Sequence, residues 1–269
     1  MRSGSEVRSR RQVNIHPTAI VHPDAEIAEG VEIGPYTVIE GPVKIGPGTI
    51  VGPRVTIEGY TTIGAENEIF TGAVIGSRTQ DKKFDGGISY LKIGDRNKIR
   101  EYVTINPGTK ATTETVIGDD NLLMAYAHVA HDCVVKNRTI LANVATLAGH
   151  VTVEDGAIIG GISAVHQFVK IGKLALIGGC SKVVQDVPPF VIADGHPARA
   201  HGLNMVGLER AGFSPEDRLI LKKVYRIIFK SAMTLKKAVA TITEEFPPSN
   251  PHIQHLIQFL IHAERGICR

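Results

Sequence analysis

From Ile15 to Val183 this chain places an aliphatic residue at every sixth position. In that register stand Ile15, Val21, Ile27, Ile33, Ile39, Ile45, Val51, Ile57, Ile63, Ile69 and Ile75, then Ile93, Ile99 and Ile105, then Ile117 and every sixth residue after it. Of the 29 positions in step, 26 are Ile, Leu or Val; Asp81, Gly87 and Ala111 are the exceptions. A helix repeats at about 3.6 residues and an alternating strand at about 2, so neither explains a beat of six. A strict hexad is the mark of a parallel β-helix, whose short strands coil around one buried axis.

Four residues after each aliphatic residue stands a small or β-branched one: Ala19, Ala25, Val31, Thr37, Val43, Thr49, Val55 and Thr61. These two positions alternate along a strand and therefore face the same interior. Glycine often follows the aliphatic residue (Gly34, Gly46, Gly52, Gly64, Gly76), which suits corners that need unusual backbone angles. Three hexads make one triangular coil of about 18 residues, and about ten such coils at roughly 4.8 Å spacing are expected. The composition agrees with so narrow an interior: 43% of residues are hydrophobic, yet only 5% are aromatic and Trp is absent.

The beat misses twice. The segment from Ser77 to Lys92 is polar and charged where core residues belong, and Pro107–Thr115 repeats the lapse on a smaller scale. Excursions from a rigid scaffold are common places for binding residues. Past Pro188-Pro189 the signal becomes helical. Ser214-Pro215-Glu216-Asp217 reads as an N-cap, an N1 proline and a capping box. Further helices are expected from Thr234 to Phe246 and from about Pro251 to Arg265. The expected division is thus a leader over residues 1–13, a β-helix over 14–192 with a loop at 77–92, and a helical C-terminal domain over 193–269 that closes one end of the solenoid.

The leader carries Arg2, Arg8, Arg10 and Arg11 with three serines and a single acid. It fits either the remnant of an organellar transit peptide or a frayed start, so the expected location is the cytoplasm of a bacterium or, alternatively, a mitochondrial matrix. A net charge of +3 gives no reason to propose nucleic acid as a partner. Three cysteines without a C-x-x-C spacing point to a reducing compartment. The longest apolar run, near Ala157–Val165, is too short for a transmembrane segment.

In a solenoid, residues 18 apart stack on successive coils. His131, Gly149 and Gln167 therefore share a column, and Asp132, His150 and Phe168 share the next. His128 and His166 join them on the same edge. A histidine oriented by a neighbour serves as a general base, and Asp132 is placed to hold either His131 or His150. Gly149 leaves its backbone N–H approachable beside that base, the layout of an oxyanion hole. Cys133 falls at the small inner position of its hexad and reads as packing.

The segments AHVAHDC (127–133), LANVATLAGHV (141–151), IIGGISAVHQF (158–168), GGCSKVVQDVPPFVIADG (178–195) and IGDRNKIREYVTI (93–105) resemble the UDP-N-acetylglucosamine O-acyltransferases, a hexapeptide-repeat family that opens lipid A biosynthesis. The likeness runs from about residue 14 to the end. It implies a left-handed β-helix, against the right-handed rule for ordinary parallel crossovers, and a homotrimer with active sites between subunits. It also implies transfer of an R-3-hydroxyacyl chain from acyl carrier protein to the 3-hydroxyl of UDP-N-acetylglucosamine, with no metal and no diffusible cofactor. Residue by residue, His131 matches the family's base and Gly149 its oxyanion glycine, while His128, His150, His166 and Gln167 match substrate contacts, beside which Asp132 is counted. Gln80, Asp81 and Lys83 match residues that hold the sugar nucleotide, and Asn204 and Arg210 match positions reaching the nucleotide or the carrier. Gly179 matches the position that limits acyl length; a glycine there implies a long chain. Val206 stands where the family usually has a carboxylate, and His196-Pro197 replaces an Asn-His pair.

Three other readings compete. The N-acyltransferase of the same pathway carries an N-terminal uridine-binding domain, for which about 14 residues before the first hexad leave no room. A γ-type carbonic anhydrase shares the fold and binds zinc through histidines, for which His128, His131 and His150 are the available set. A scaffold without catalysis is the third.

Overall fold

The computed structural model describes residues 12–246 and 249–269. The leader expected over residues 1–13 lies almost wholly outside the described residues. The hexads form strands of mostly two residues that build three parallel sheets in turn. The first sheet starts at Asn14–Ile15, the second at Ile20–Val21 and the third at Glu26–Ile27. Each strand pairs with the one a full coil later, for example Asn14 with Glu32 and Ile15 with Ile33. The chain is a left-handed parallel β-helix. Ten parallel strands stack in the first sheet, which at roughly 4.8 Å each gives a prism about 43 Å long.

The stepped residues face inward and are buried from Ile33 onward, together with the small residues two places before them. Ile15 remains exposed, because none of the described residues covers the first coil, whereas Ile20 is exposed because it points outward beside the stepped Val21. Where the small inner position is polar, it forms a ladder: the Asn67, Asn97 and Asn121 side-chain oxygens accept from the backbone N–H of Asn97, Asn121 and Thr139 at 2.9, 2.9 and 2.7 Å. The buried amide oxygens of this ladder thus have partners, as a packed interior requires, while Asn121 Nδ2 has none.

The corner glycines have a different cause from the one expected. A Cβ on Gly34 would stand 2.7 Å from the Gly52 carbonyl carbon, and one on Gly46 would stand 2.5 Å from that of Gly64. These glycines let consecutive coils approach; the left-handed backbone positions fall mostly on other residues. Asp132, His150 and Phe168, with φ of 57, 60 and 68°, turn one corner on consecutive coils.

Both excursions leave from the corner between the second and third sheets. Val74–Ile75 and Thr104–Ile105 belong to the second sheet, and the chain re-enters the third at Tyr90–Ile93 and Glu114–Ile117. Tyr90 pairs with Tyr60 and then with Glu114, whereas Thr152 pairs with Lys170 in the ordinary coil. The first excursion therefore adds twelve residues to a coil and the second adds six, which keeps the register intact.

The expected boundary at 192/193 falls inside the strand Val191–Gly195, which extends the first sheet and turns back antiparallel as Ala198–Leu203. Helices follow only from Asn204: α1 (Met205–Arg210), α2 (Pro215–Phe229), α3 (Leu235–Glu245) and α4 (Pro251–Ile261). Ser214 caps α2 through the Asp217 N–H and Thr234 caps α3, as the sequence suggests. The last helix stops at Ile261, short of the expected Arg265. A second core of Phe190, Leu208, Leu221, Val224, Ile228, Ile242 and Leu256 closes this end.

Candidate active site

The corner that releases both excursions also carries His131 and His150, so fold topology gathers the polar residues along one edge. Asp132 decides between its two possible partners in favour of His131, whose Nδ1 lies 2.8 Å from the Asp132 Oδ2; His150 Nε2 is 3.7 Å away. The His131 and His150 rings meet edge to face, with centroids 5.1 Å apart, and Phe168 stacks on the far side of His150 at 4.7 Å. His131 and Asp132 are almost enclosed, at 9% side-chain exposure each, whereas His150 is 40% exposed.

The smaller excursion wraps Asp132. Its Oδ2 accepts from the Thr109 amide at 3.1 Å, and its own N–H donates to Thr115 Oγ1 at 2.8 Å. Burial works to raise the Asp132 carboxyl pKa, but hydrogen bonds from Thr113, His131 and the Thr109 amide outweigh it and hold the group below the usual carboxylate range. The Asp132 carboxylate, 2.8 Å from Nδ1, favours the His131 tautomer that carries its proton there and leaves the Nε2 lone pair facing the longer excursion. Burial holds the pKa values of His128 and His150 below the ordinary histidine range; proximity to His131 adds to the effect at His128, while Asp132 opposes it at His150.

The longer excursion reaches the same histidine from the other side. Asp81 Oδ2 stands 3.5 Å from His131 Nε2. Its Oδ1 accepts from the Lys83 amide at 3.0 Å and its N–H donates to Thr79 Oγ1 at 3.2 Å, so a local turn fixes the carboxylate. Gln80 and Lys83 are exposed on this loop. Thr79 Oγ1 lies 3.4 Å from Thr109 Oγ1, which ties the two excursions together.

Gly149 lies against His131. A Cβ built there would be 2.3 Å from His131 Cε1 and 2.4 Å from Nε2, so only glycine fits. The peptide between these coils is fixed by the His150 N–H donating to the His131 carbonyl at 3.0 Å. His128 points from the second sheet with Nδ1 2.7 Å from Thr104 Oγ1, and it stands outside the group able to meet at one metal, which comprises His131, Asp132 and His150. His166 is exposed beside Gln167, with Nδ1 3.1 Å from the Gln167 carbonyl. Cys133 is buried, its thiol hydrogen-bonds to the Ala148 carbonyl, and burial pushes its pKa up to about 12; it is packing.

The remaining expected residues are elsewhere. Gly179 is exposed at the corner between the first and second sheets, one prism edge away from His131. Asn204 is buried as the cap of α1: its Oδ1 accepts from the Gly207 N–H at 3.0 Å and its Nδ2 donates to the Leu174 carbonyl at 2.9 Å. Arg210 and Val206 are exposed on α1. The cradle of Thr109, Thr113 and Thr115 and the Asp81 contact to His131 escaped the sequence reading. Counting the two insertions as multiples of six, both leaving one corner, is the signal that finds them.

Comparison with known proteins shows what the chain is similar to along its length. Residues 186–268 match the family model described as UDP N-acetylglucosamine O-acyltransferase, domain 2, and residues 24–59 match the bacterial transferase hexapeptide model. The chain is 52% identical over 256 residues to the acyl-[acyl-carrier-protein]--UDP-N-acetylglucosamine O-acyltransferase of Thermodesulfovibrio yellowstonii, covering 95% of this chain and 99% of that protein. Its counterpart in Thiobacillus denitrificans is 50% identical with the same coverage. Among solved structures, the UDP-N-acetylglucosamine acyltransferase of Francisella novicida superposes with a TM-score of 0.92 at 36% identity, covering 95% of this chain and 94% of that one. The Arabidopsis enzyme superposes at 0.86 and 38% identity, over 95% and 100%.

Proposed function

The chain belongs to the UDP-N-acetylglucosamine O-acyltransferase family, and from that premise we propose that it transfers an R-3-hydroxyacyl chain from acyl carrier protein to the 3-hydroxyl of UDP-N-acetylglucosamine, the first step of lipid A biosynthesis. The observation that carries the mechanism is the Asp132–His131–Gly149 arrangement. His131 Nε2 takes the proton of the sugar hydroxyl as its oxygen attacks the thioester carbonyl. Asp132 stabilises the imidazolium that results, and the Gly149 N–H faces the oxyanion. Collapse of the tetrahedral intermediate breaks the C–S bond, and the proton on Nε2 passes to the departing thiolate of the carrier.

Asp81, with Gln80 and Lys83, holds the sugar nucleotide at the mouth of the longer excursion. Lys83 supplies charge for a phosphate, and the Asp81 carboxylate that meets His131 Nε2 stands where a sugar hydroxyl has to arrive. His128, His150, His166 and Gln167 line the same edge. Gly179, at a different corner of the prism, belongs to the far end of the acyl path, where the absence of a side chain leaves space for a long chain. A single chain separates that corner from His131 by the width of the second sheet. We take this separation, together with the exposed Tyr126, Val144 and Ile162 along Gly179's corner, as support for a homotrimer in which neighbouring copies complete each site. Asn204 has its side chain committed to the α1 cap, so its role is to place Arg210 for the nucleotide or the carrier. The bacterial relatives support a cytoplasmic site of action.

The test is acyl transfer from hydroxyacyl carrier proteins of graded length to UDP-N-acetylglucosamine. His131→Ala is expected to lower kcat by about 10²- to 10⁴-fold with the assembly intact; retention of full activity removes the base.

A further inference from the structure

We propose that His131 Nδ1, the Asp132 carboxylate and His150 Nε2 form a binding site for a d-block divalent cation of the Zn²⁺ type, and that the occupied site is catalytically silent. The second half of this inference rests on His131 acting as the base.

The three ligand atoms lie within 4.8 Å of one another, with Asp132 Oδ2 central, 2.8 Å from one nitrogen and 3.7 Å from the other. Zinc bonds to nitrogen and oxygen are about 2.0–2.2 Å, which sets ligand atoms about 3.4 Å apart on a tetrahedral face, so the 2.8 Å gap has to widen and the 3.7 Å gap to close by about half an ångström each. Rotation of the His131 and Asp132 side chains opens the shorter gap, and His150, 40% exposed and stacked on Phe168, closes the longer one by sliding along that ring. The exposed side of His150 leaves a fourth position for water. Two imidazoles and a carboxylate suit zinc, copper or nickel and are too nitrogen-rich for calcium or magnesium.

The consequence for catalysis is tautomeric. A metal on Nδ1 displaces the proton shared with Asp132, and that proton moves to Nε2, giving the other neutral tautomer of the imidazole. That nitrogen can no longer accept a proton from a sugar hydroxyl. Asp81 Oδ2, 3.5 Å from Nε2, is positioned to accept the Nε2–H, the carboxylate–histidine–metal arrangement that orients ligating histidines. The same carboxylate that faces the substrate in the active form therefore stabilises the metal-bound form. Zinc acts here as an inhibitor, and the proposed transfer needs none.

The experiment is calorimetric titration of Zn²⁺ into the chelator-stripped full-length protein, with acyl transfer measured on the same samples. One zinc per chain is expected, with activity falling in proportion to occupancy and returning on addition of chelator. His150→Asn, which retains a residue tolerant of the left-handed backbone at φ 60°, should weaken binding at least about tenfold, and His131→Gln provides a second loss of ligand. Asp81→Asn should weaken it by about 10- to 100-fold through the second shell. Unchanged isotherms in both ligand variants would mean that zinc binds at other surface histidines and would overturn the site. Zinc bound in a His150-dependent manner with full transfer activity would overturn the silencing, whereas full activity of metal-free His131→Gln would separately remove the base assigned to His131.

Discussion

Replacing Gly149 by alanine isolates the geometry on which the proposed mechanism depends. The added methyl would stand 2.3 Å from His131 Cε1 and 2.4 Å from Nε2, against an ordinary separation of at least 3.4 Å, so the ring must retreat by about 1 Å. The backbone cannot yield instead, because the His150 N–H bonds the His131 carbonyl and the Phe168 N–H bonds the Gly149 carbonyl. A 1 Å retreat stretches or breaks the 2.8 Å contact to Asp132 and moves Nε2 from the reacting hydroxyl. Misplacement on this scale costs about 10²-fold, or roughly 2.7 kcal/mol of transition-state stabilisation. Gly149 does not occupy the left-handed region, so alanine brings no backbone penalty, and the loss of stability in the melt should be limited to about 1–3 kcal/mol for the loosened His131–Asp132 contact. Gly202→Ala is the control, because a Cβ there has no neighbour within 4 Å. The assay is steady-state transfer from hydroxyacyl carrier protein with a thermal melt of each variant. Gly149→Ala activity within about threefold of the parent would refute the reasoning, since a displaced ring cannot sustain aligned proton transfer.

Two stability predictions follow from the junction between the solenoid and its helical cap. Glu154 accepts from His255 of α4, in a contact of 2.8 Å, and from the Lys173 amide at 2.9 Å; burial works against its carboxylate, but His255, Lys136 and Lys173 outweigh it and keep its pKa below the ordinary 4.5. The stability this gives is present above the unfolded pKa and is lost as pH falls through the lower folded one, so Glu154→Gln should cost about 1–2 kcal/mol at pH 7 and almost nothing in strong acid. Equal melting of the two proteins at pH 7 would exclude the tie. Asp186 is the opposite case: burial raises its carboxyl pKa against the pull of Lys170 and Arg265, and its Oδ2 has no hydrogen-bond partner. Folding then carries a penalty above the folded pKa that is relieved as pH drops, so Asp186→Asn should gain about 1 kcal/mol, or roughly 2–4 °C, at pH 7 and lose the advantage in acid. A lower melting temperature at pH 7 would show that the ionised carboxylate is needed.

The column of His131 and Gly149 was legible because an 18-residue coil converts a count along the chain into a contact across it. Where the count is disturbed, the reading weakens. Thr109 reaches Asp132 across 23 positions and Asp81 reaches His131 across 50, and only the extra twelve and six residues at one corner make those distances short. The strand pair Val191–Leu203 also went unseen, because its residues lie outside the hexad beat and pair antiparallel across the short turn at the cis His196-Pro197 bond. Asn204 illustrates a different limit. Its position matched a ligand contact by resemblance, while its side chain is buried in a helix cap, a role that depends on where α1 starts.

The periodic apolar pattern by itself determined the coil, the inward face and the stacking of the histidines, since burial of one residue in six is a local rule repeated along the chain. Tertiary structure decided which histidine Asp132 holds, why the corner residues are glycine, and that two polar excursions converge on the His131–Asp132 pair. Those outcomes depend on contacts between coils at separations of 2.8–3.5 Å, which periodicity brings near but side-chain direction and backbone approach alone can fix.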